Sequence, residues 1–247
     1  HWSCQCDNVG SPARVLTLEV RTMLQINNLT FRIGGRLLLD GASASLPDGH
    51  KVGLVGRNGT GKSTLLKLIL GDLITESGSA SVPKNARIGT VAQEAPGGPE
   101  SLLDTVMAGD KEREALLAEA ETATEPHRIA EIQIRLADIE AHSAPARAAI
   151  ILAGLGFSEE AQNGPCSALS GGWRMRVALA AALFGAPDVL LLDEPTNYLD
   201  LEGTIWLKSY IRDYPHTILL VSHDRDLLNE AVDSILHLDQ GKLTIYV

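Results

Sequence analysis

One loop restricts the fold of this chain more than any other part of its sequence. Eight residues fit the pattern G-x-x-x-x-G-K-[ST], between the apolar run Lys51–Val55 and a helical pattern that continues to Leu70. Such glycines let backbone N–H groups approach phosphate oxygens without an intervening β-carbon, and the helix N-terminus adds its dipole. We therefore predict a parallel α/β sheet with a phosphate-binding loop. The loop consists of Gly56, Arg57, Asn58, Gly59, Thr60, Gly61, Lys62 and Ser63.

The end of this loop carries the residues that would bind a nucleotide most directly. We expect Lys62 to reach the β- and γ-phosphates of ATP, and the hydroxyl of Ser63 to bind Mg²⁺. Thr64 follows in the first turn of the predicted helix and is included among the nucleotide contacts. The alternative, a glycine-rich turn that binds no nucleotide, is disfavoured because a strand and a helix flank the loop in the required order.

A second candidate feature is the apolar strand Val189–Leu192, which ends in two acids, Asp193 and Glu194. Ligands of parallel sheets bind at the carboxyl ends of the strands, so both acids should face the phosphate loop. We expect Asp193 to hold Mg²⁺, mostly through water, and Glu194 to activate the attacking water as a general base. The alternative is an acidic N-cap of a following turn or helix, since Pro195 comes next.

The short run Ser170, Gly171 and Gly172 precedes a helical pattern that begins near Trp173. Small residues at a helix N-terminus can form a second anion site. By itself a Ser-Gly-Gly run is more often a simple turn, and only its place in the chain before Glu194 makes an anion site the favoured interpretation.

Two more polar residues follow apolar strands. His223 comes after Thr217–Val221, and we predict that it meets a γ-phosphate. Gln93 comes after Arg87–Val91, and we expect it to coordinate Mg²⁺ or a water on it. Taken alone, Gln93 would be read as an exposed loop residue and His223 as a structural histidine.

The composition narrows the classes of partner. Of 247 residues 45% are hydrophobic, yet no apolar run approaches the roughly 18 residues that a membrane span needs. The formal net charge of −10 disfavours broad electrostatic binding to nucleic acid or anionic lipid. Three cysteines without regular spacing argue against a disulfide framework, so we expect a cytoplasmic location.

The first 22 residues are predicted to be upstream or non-native sequence. They begin with His1 and show neither strand nor helix periodicity, whereas Met23 opens an alternating stretch. Residues 23–247 are predicted to form one domain, in which Met23–Phe31 would be an edge strand.

Between Glu100 and His142 the pattern changes from strand to helix. Apolar residues recur every three or four positions, and Thr124-Glu125-Pro126 breaks the pattern, which predicts two helices joined by a turn. The segment has eleven carboxylates and four basic side chains. This charge indicates a solvated helical subdomain, with a docking arm for a partner as the alternative.

Taken together, the motifs resemble an ABC ATPase domain over Met23–Val247. The resemblance implies an ABC-type P-loop α/β fold with a mixed core sheet, an antiparallel edge sheet and an inserted α-helical subdomain at approximately 100–185. It also implies ATP and Mg²⁺ as ligands and ATP hydrolysis as the activity. The motifs that carry it are, in order, the phosphate loop, Gln93, Leu169–Gly172, Leu190–Glu194, Leu199-Asp200 and His223.

Finer residues are similar to the ABC-F branch of that family. These proteins are cytoplasmic ATPases with two ABC domains, and they act on the ribosome near the tRNA exit site. The resemblance implies that this chain is the first ABC domain of a bacterial translation factor and that the second ABC domain is absent from it. In such a protein the two domains would face each other, and Ser170–Gly172 would complete the ATP site of the second domain. The segments concerned are Ser170–Arg176, Asp193–Asp200, Trp206-Leu207 and Val221–Arg225.

Two positions depart from the pattern of the family. ABC-F proteins commonly have histidine where Tyr198 stands. ABC ATPases stack adenine on an aromatic residue upstream of the phosphate loop, and this position is Ile33 here. The resemblance then places the adenine contact at Phe31, two residues earlier on the same strand face, and implies loose base selectivity.

Two other functions remain open from the sequence. An ATPase subunit of a membrane transporter would need a separate membrane partner, and such subunits usually have glutamine at the position of Trp173. The second alternative function is that of an ABC-like binding module without catalysis. The presence of Lys62, Asp193 and Glu194 argues against it.

Overall fold

The computed structural model describes residues 21–94 and 96–246, so the expectations for residues 1–20 lie outside the described part of the chain. Nine strands in this part form two sheets, one of six strands and one of three. They are β1 (Thr22–Ile33), β2 (Arg36–Pro47), β3 (Lys51–Val55), β4 (Ser77–Ser81), β5 (Ile88–Thr90), β6 (Val189–Asp193), β7 (Thr217–Val221), β8 (Ser234–Asp239) and β9 (Lys242–Tyr246).

The helices of the same part are α1 (Lys62–Leu70), α2 (Leu102–Met107), α3 (Lys111–Thr122), α4 (Pro126–Asp138), α5 (Ala144–Gly154), α6 (Glu159–Gln162), α7 (Gly171–Phe184), α8 (Leu201–Asp213) and α9 (Arg225–Ala231). Helices α2 to α7 lie in the region 100–185 that was predicted to be a helical subdomain. The predicted α/β class, with a mixed sheet, an antiparallel sheet and inserted helices, is thus confirmed.

The six-stranded core sheet has the order β5-β6-β7-β3-β8-β9. Its first five strands are parallel and β9 pairs antiparallel with β8. Residues of β6 and β7 alternate between two hydrophobic clusters: Leu190 and Leu192 face the helices α5, α7 and α8, whereas Val189 and Leu191 face α1 and the edge sheet. Burial on both faces explains why these strands are continuous apolar runs.

The edge sheet has the order β2-β1-β4, so the prediction that Met23–Phe31 is an edge strand is wrong. This stretch lies in the central strand β1, between the long hairpin partner β2 and the short strand β4. The five residues of β4 are serine, glycine and alanine, without the alternation of apolar and polar residues that signals a strand. Their pairing depends on β1 and is not encoded locally.

The segment from Glu100 to His142 contains three helices, α2, α3 and α4, where two were predicted. The predicted turn separates α3 from α4, and a further break precedes α3, where the carboxylate of Asp110 accepts a hydrogen bond from the N–H of Arg113. Such local capping ends and restarts a helix without interrupting the apolar period.

Helices α3 and α4 form a hairpin that contributes little to the core. Among its residues only Ile132 is buried. The two helices are joined by ion pairs at the surface, in which Arg128 contacts Glu119 at 2.6 Å and Arg135 contacts Glu112 at 2.5 Å. These arginines hold the pKa values of both glutamates below their ordinary range. Because exposed ion pairs stabilise a fold weakly, the hairpin is a loosely supported part of the domain.

The contact between α5 and α8 gives a test of the packing. Gly154, the last residue of α5, faces the indole ring of Trp206 so closely that a β-carbon would overlap it. We expect Gly154→Ala to lower the free energy of unfolding by about 1–3 kcal/mol, as overpacking does elsewhere, measured by urea denaturation. Gly172→Ala is the matched control, because open space surrounds this helical glycine. A Gly154→Ala variant as stable as the parent would contradict this packing.

Candidate functional site

A cleft of about 640 Å³ opens at the carboxyl ends of β3, β6 and β7. Parallel strands present their carboxyl ends at one edge of the sheet, which is where ligands of α/β proteins bind. The structure thus brings together residues that stand more than a hundred positions apart in the chain. The predicted site residues that line the cleft are Asn58, Gly59, Gly61, Lys62, Ser63, Thr64, Asp193, Glu194 and His223.

The phosphate loop has the backbone that its glycines allow. Gly59 and Gly61 have φ of +76° and +107°, a left-handed region that other residues rarely adopt. A β-carbon on Gly56 would lie 2.5 Å from the carbonyl oxygen of Leu238, so the loop must pass close to β8. Gly56 and Arg57 also line a shallow pocket that adjoins His223. Glycine is therefore needed here for chain conformation and for close approach.

The ammonium group of Lys62 lies inside this loop. It donates hydrogen bonds to the carbonyl oxygens of Gly56 at 2.8 Å and Arg57 at 3.3 Å, and the residue is 8% exposed. The hydroxyl of Thr60 also stabilises the loop, because it donates a hydrogen bond to the carbonyl of Arg57 at 2.8 Å. A nearly buried cation beside the N-terminus of α1 makes this loop a suitable place for an anion.

Glu194 has the most unusual backbone of the site. Its φ is +47°, a left-handed value that is uncommon for a residue with a side chain, and its N–H donates to the carbonyl of Val221 at 2.9 Å. Its side chain makes no capping hydrogen bond to the following 3₁₀ turn, so the structure does not favour the alternative of an acidic N-cap. Backbone strain of this kind is often retained where a side chain must be aimed at a ligand.

Glu194 and His223 form a pair in the wall of the cleft. The backbone N–H of His223 donates to one carboxylate oxygen at 3.3 Å. The other oxygen lies 3.4 Å from Nε2 of His223, is buried, and makes no well-aligned hydrogen bond within the described residues. A buried carboxylate oxygen without a hydrogen bond calls for a donor, and Nε2 of His223 is the nearest polar group to it, while the rest of the Glu194 side chain, 22% exposed, faces the cleft.

Gln93 lies beside the two oxygen donors that were predicted to bind Mg²⁺ with it. It lines a cavity of about 500 Å³ together with Ser63 and Asp193, next to the main cleft. A hydroxyl, a carboxylate and an amide oxygen are the kind of ligands that Mg²⁺ prefers, usually with water completing the shell. The three residues present here fit such an ion.

Phe31 is not brought to the cleft. It is 9% exposed and packs in the hydrophobic cluster of the edge sheet, whereas Ile33 is 54% exposed and lines the cleft. The alternation on which we relied fails because the pairing of β1 with β2 shifts register between Phe31 and Arg32. The predicted adenine contact at Phe31 therefore has no support from its position.

Ser170, Gly171 and Gly172 lie at the start of α7 and do not line the cleft. Ser170 is the N-cap residue, but its side chain makes no capping bond, and the space around both glycines is open. The N–H groups of this helix start are thus presented to the outside of the domain. The three residues therefore stand away from this chain's own phosphate loop.

Arg176 was not among the predicted site residues. Its guanidinium donates to the carbonyls of Tyr198 at 2.6 Å and Leu155 at 3.1 Å, and to the carboxylate of Asp200 at 3.1 Å. It also lies over the ring of Trp173, 4.2 Å from the centroid. This buried side chain ties α7 to the turn that follows Glu194.

The same contacts perturb Asp200, which caps α8. Its pKa is lowered, first by the hydrogen bond from the N–H of Gly203 and then by the hydrogen bond from Arg176. The only hint in the sequence was a charged residue inside the apolar stretch of α7, and such a residue needs buried partners.

Removing this guanidinium should destabilise the domain. We expect Arg176→Met to lower the free energy of unfolding by about 1–3 kcal/mol, because it leaves the buried carbonyl of Leu155 and the partly buried carbonyl of Tyr198 without this donor. Chemical denaturation measures the change. Arg174→Met is the matched control, two residues earlier in the same helix and with one hydrogen bond, to the carbonyl of Leu169. Equal effects of the two substitutions would contradict a special role of Arg176.

Comparison with known proteins agrees with this geometry. A family model described as "ABC transporter" matches residues 39–197. The relative with the printed name "Probable ATP-binding protein YheS", of Escherichia coli strain K12, is 46% identical over 91% of this chain and 36% of its own length. ATP-binding cassette sub-family F member 3 of Homo sapiens is 44% identical over 90% of this chain and 32% of its own length. The chain therefore spans about a third of the length of these relatives.

Solved structures show the same fold at lower identity. An ATP-binding subunit of an ABC transporter has a TM-score of 0.69 at 20% identity, covering 92% of this chain and 90% of its own. A metal-chelate type ABC transporter in an inward-facing conformation has a TM-score of 0.62 at 23% identity, covering 92% and 83%. No helix among the described residues has the length and apolar character of a membrane span.

Proposed function

Because this chain belongs to the ABC transporter family as an ABC ATPase domain, we propose that it binds and hydrolyses ATP with Mg²⁺ as part of a cytoplasmic ABC-F protein that acts on the ribosome. The observation that carries the ATPase proposal is the meeting of Lys62, Asp193, Glu194 and His223 in one cleft. The ribosomal role is supported by the similarity to sub-family F proteins at 43–44% identity.

In the proposed reaction, this chain's residues hold the phosphates and activate water. The N–H groups of the phosphate loop and the ammonium of Lys62 bind the β- and γ-phosphates, replacing the loop carbonyls that Lys62 now contacts. Ser63, Asp193 and Gln93 would hold Mg²⁺, which neutralises charge on the phosphates. The carboxylate of Glu194, whose side chain is 22% exposed, accepts the proton of the attacking water.

His223 is proposed to orient both the base and the phosphate. It already contacts Glu194 through its backbone N–H and lies close to it through Nε2. Because its side chain is 58% exposed in the cleft, it can donate a hydrogen bond to a terminal phosphate oxygen. The stabilisation of charge at the phosphate by such fixed donors is commonly the largest part of the rate acceleration.

The proposed partner is a second ABC domain. Ser170, Gly171 and Gly172 are exposed away from the cleft, as expected if they complete the nucleotide site of a facing domain. Conversely, this chain's own cleft would receive the equivalent helix start from that domain. Loss of one such donor costs about 10²–10³ in rate, so the isolated chain should hydrolyse ATP slowly.

The main alternative is an ATPase subunit of a membrane transporter. The solved structures of similar fold are of that kind, but at 20–23% identity they indicate the fold alone. The sub-family F relatives are about twice as similar in sequence. A binding module without catalysis is disfavoured because the lysine, both acids and the histidine are all in place.

Nucleotide binding is tested by replacing Lys62. We expect Lys62→Ala to weaken ATP binding in the presence of Mg²⁺ by about 1.5–3 kcal/mol, because one charge-assisted phosphate contact is lost. Isothermal titration calorimetry measures the affinity. Lys84→Ala changes the charge equally at an exposed turn outside the cleft and should have no effect. Unchanged affinity of Lys62→Ala would refute the phosphate-loop assignment.

The catalytic and ribosomal proposals are tested together in the full-length protein. We expect Glu194→Gln to bind ATP normally and to lower the hydrolysis rate roughly 10²- to 10⁴-fold, because the base is removed while its shape is kept. The ATP-bound protein should then accumulate on ribosomes and co-sediment with them. Glu202→Gln, an exposed position in the first turn of α8, is the matched control.

The outcomes separate the two proposals. Turnover of Glu194→Gln within about twofold of the parent would mean that another group is the base. Slow turnover without ATP-dependent co-sedimentation would leave the ATPase assignment intact and refute the ribosomal role.

A further inference from the structure

The cleft has a second end, at the hairpin between β1 and β2. The groups proposed to act on the terminal phosphate, Glu194 and His223, follow strands of the core sheet. Ile33, Arg36 and Leu38 line the same cleft from the edge sheet, and Leu38 lies against Gly61 of the phosphate loop. A nucleoside triphosphate whose γ-phosphate meets Glu194 must extend its base away from the acids, toward this hairpin.

The hairpin holds two exposed side chains at the place where a base would lie. Ile33 and Arg36 are paired across the turn Gly34-Gly35, whose φ values are +54° and +82°. Positive φ at both positions gives a tight turn that matches the twist of the strands. Ile33 and Arg36 are therefore fixed as neighbours at the rim of the cleft.

No Phe, Tyr or Trp ring among the described residues lines this cleft. The planar group at the hairpin end is the guanidinium of Arg36. Its neighbour Arg32, also on the hairpin, is held at 2.8 Å by Glu76, whereas Arg36 has no ion-pair partner in the described part of the chain. An exposed guanidinium without a carboxylate partner remains available to a ligand.

We propose that Arg36 is the base-binding residue of the nucleotide site and that the site takes guanine as well as adenine nucleotides. The inference rests on the proposed nucleotide binding. A guanidinium plane stacks on a purine face, and stacking tolerates any purine because each has a π-face. The aliphatic side chains of Ile33 and Leu38 offer no acceptor for the amino group of adenine, so these two side chains do not select adenine over guanine.

The test compares ligands with and without a base. Isothermal titration with Mg²⁺ uses the whole chain and three ligands: ATP, GTP and inorganic tripolyphosphate. We expect the dissociation constants of ATP and GTP to lie within about threefold of each other. Arg36→Met should weaken both nucleotides about five- to tenfold and leave tripolyphosphate binding unchanged, because a stacked cation contributes only to the base.

Two further variants separate stacking from charge. Arg36→Tyr restores a planar face and should keep both nucleotide affinities near those of the parent. Arg36→Lys keeps the charge and should behave like Arg36→Met. Arg32→Met is the matched control, because Arg32 is paired with Glu76 and does not line the cleft, and it should change neither nucleotide affinity. Circular dichroism verifies that each variant is folded.

Several results would overturn the proposal. Equal losses for tripolyphosphate and the nucleotides, or rescue by Arg36→Lys, would place Arg36 on the phosphates. A preference for ATP over GTP above about thirtyfold would show a discriminating contact elsewhere. If the parent binds tripolyphosphate but gains nothing from either base, the base platform is absent while the phosphate loop stands. If the parent binds none of the three ligands, the proposed nucleotide binding itself fails.

Discussion

The site depends on the parallel pairing of β3, β6 and β7. Val221 is paired with Leu54 on one side and with Asp193 on the other, so the ends of all three strands are fixed at one level. Because successive side chains point to opposite faces, a slip of one residue would exchange the two hydrophobic clusters that cover the sheet. Both faces of β6 and β7 are apolar, so the register is held by the backbone pairing and by the fit of each side chain in its own cluster, and this register delivers the phosphate loop, both acids and His223 to one cleft. The burial of apolar side chains in the sheet therefore determines where the catalytic side chains lie.

The features that were predicted from the sequence are those that a short segment encodes by itself. The strand before the phosphate loop and the apolar runs of β6 and β7 have the predicted bounds to within a residue, because burial and periodicity are local signals. The central position of β1 was missed because its second neighbour, β4, forms only by pairing. Phe31 was misplaced because a register shift between strands cannot be seen in one strand. Arg176 was missed because its partners lie more than twenty residues away on either side.

Arg176 and the α3–α4 hairpin show two different uses of charge. At Arg176 a single guanidinium is buried and satisfies two carbonyls and a carboxylate, so it fixes the start of α7 against the turn that follows Glu194. The turn follows Glu194, which is proposed to act on the nucleotide of this chain, whereas the helix start is proposed to contact the nucleotide of the facing domain. In the hairpin, by contrast, the arginines contact carboxylates at the exposed surface, where solvent screens the interaction. Substitution of either partner there should change the stability of the domain little.

The weak anchoring of this hairpin makes it energetically separable from the rest of the domain. With one buried side chain in its two helices, it can open locally while the sheet and the phosphate loop remain intact. Its backbone amides should then exchange with solvent far sooner than those of β6 or β7. Length and sequence in this hairpin are consequently free to diverge without loss of the catalytic scaffold, so a new surface can evolve on it while the cleft stays the same.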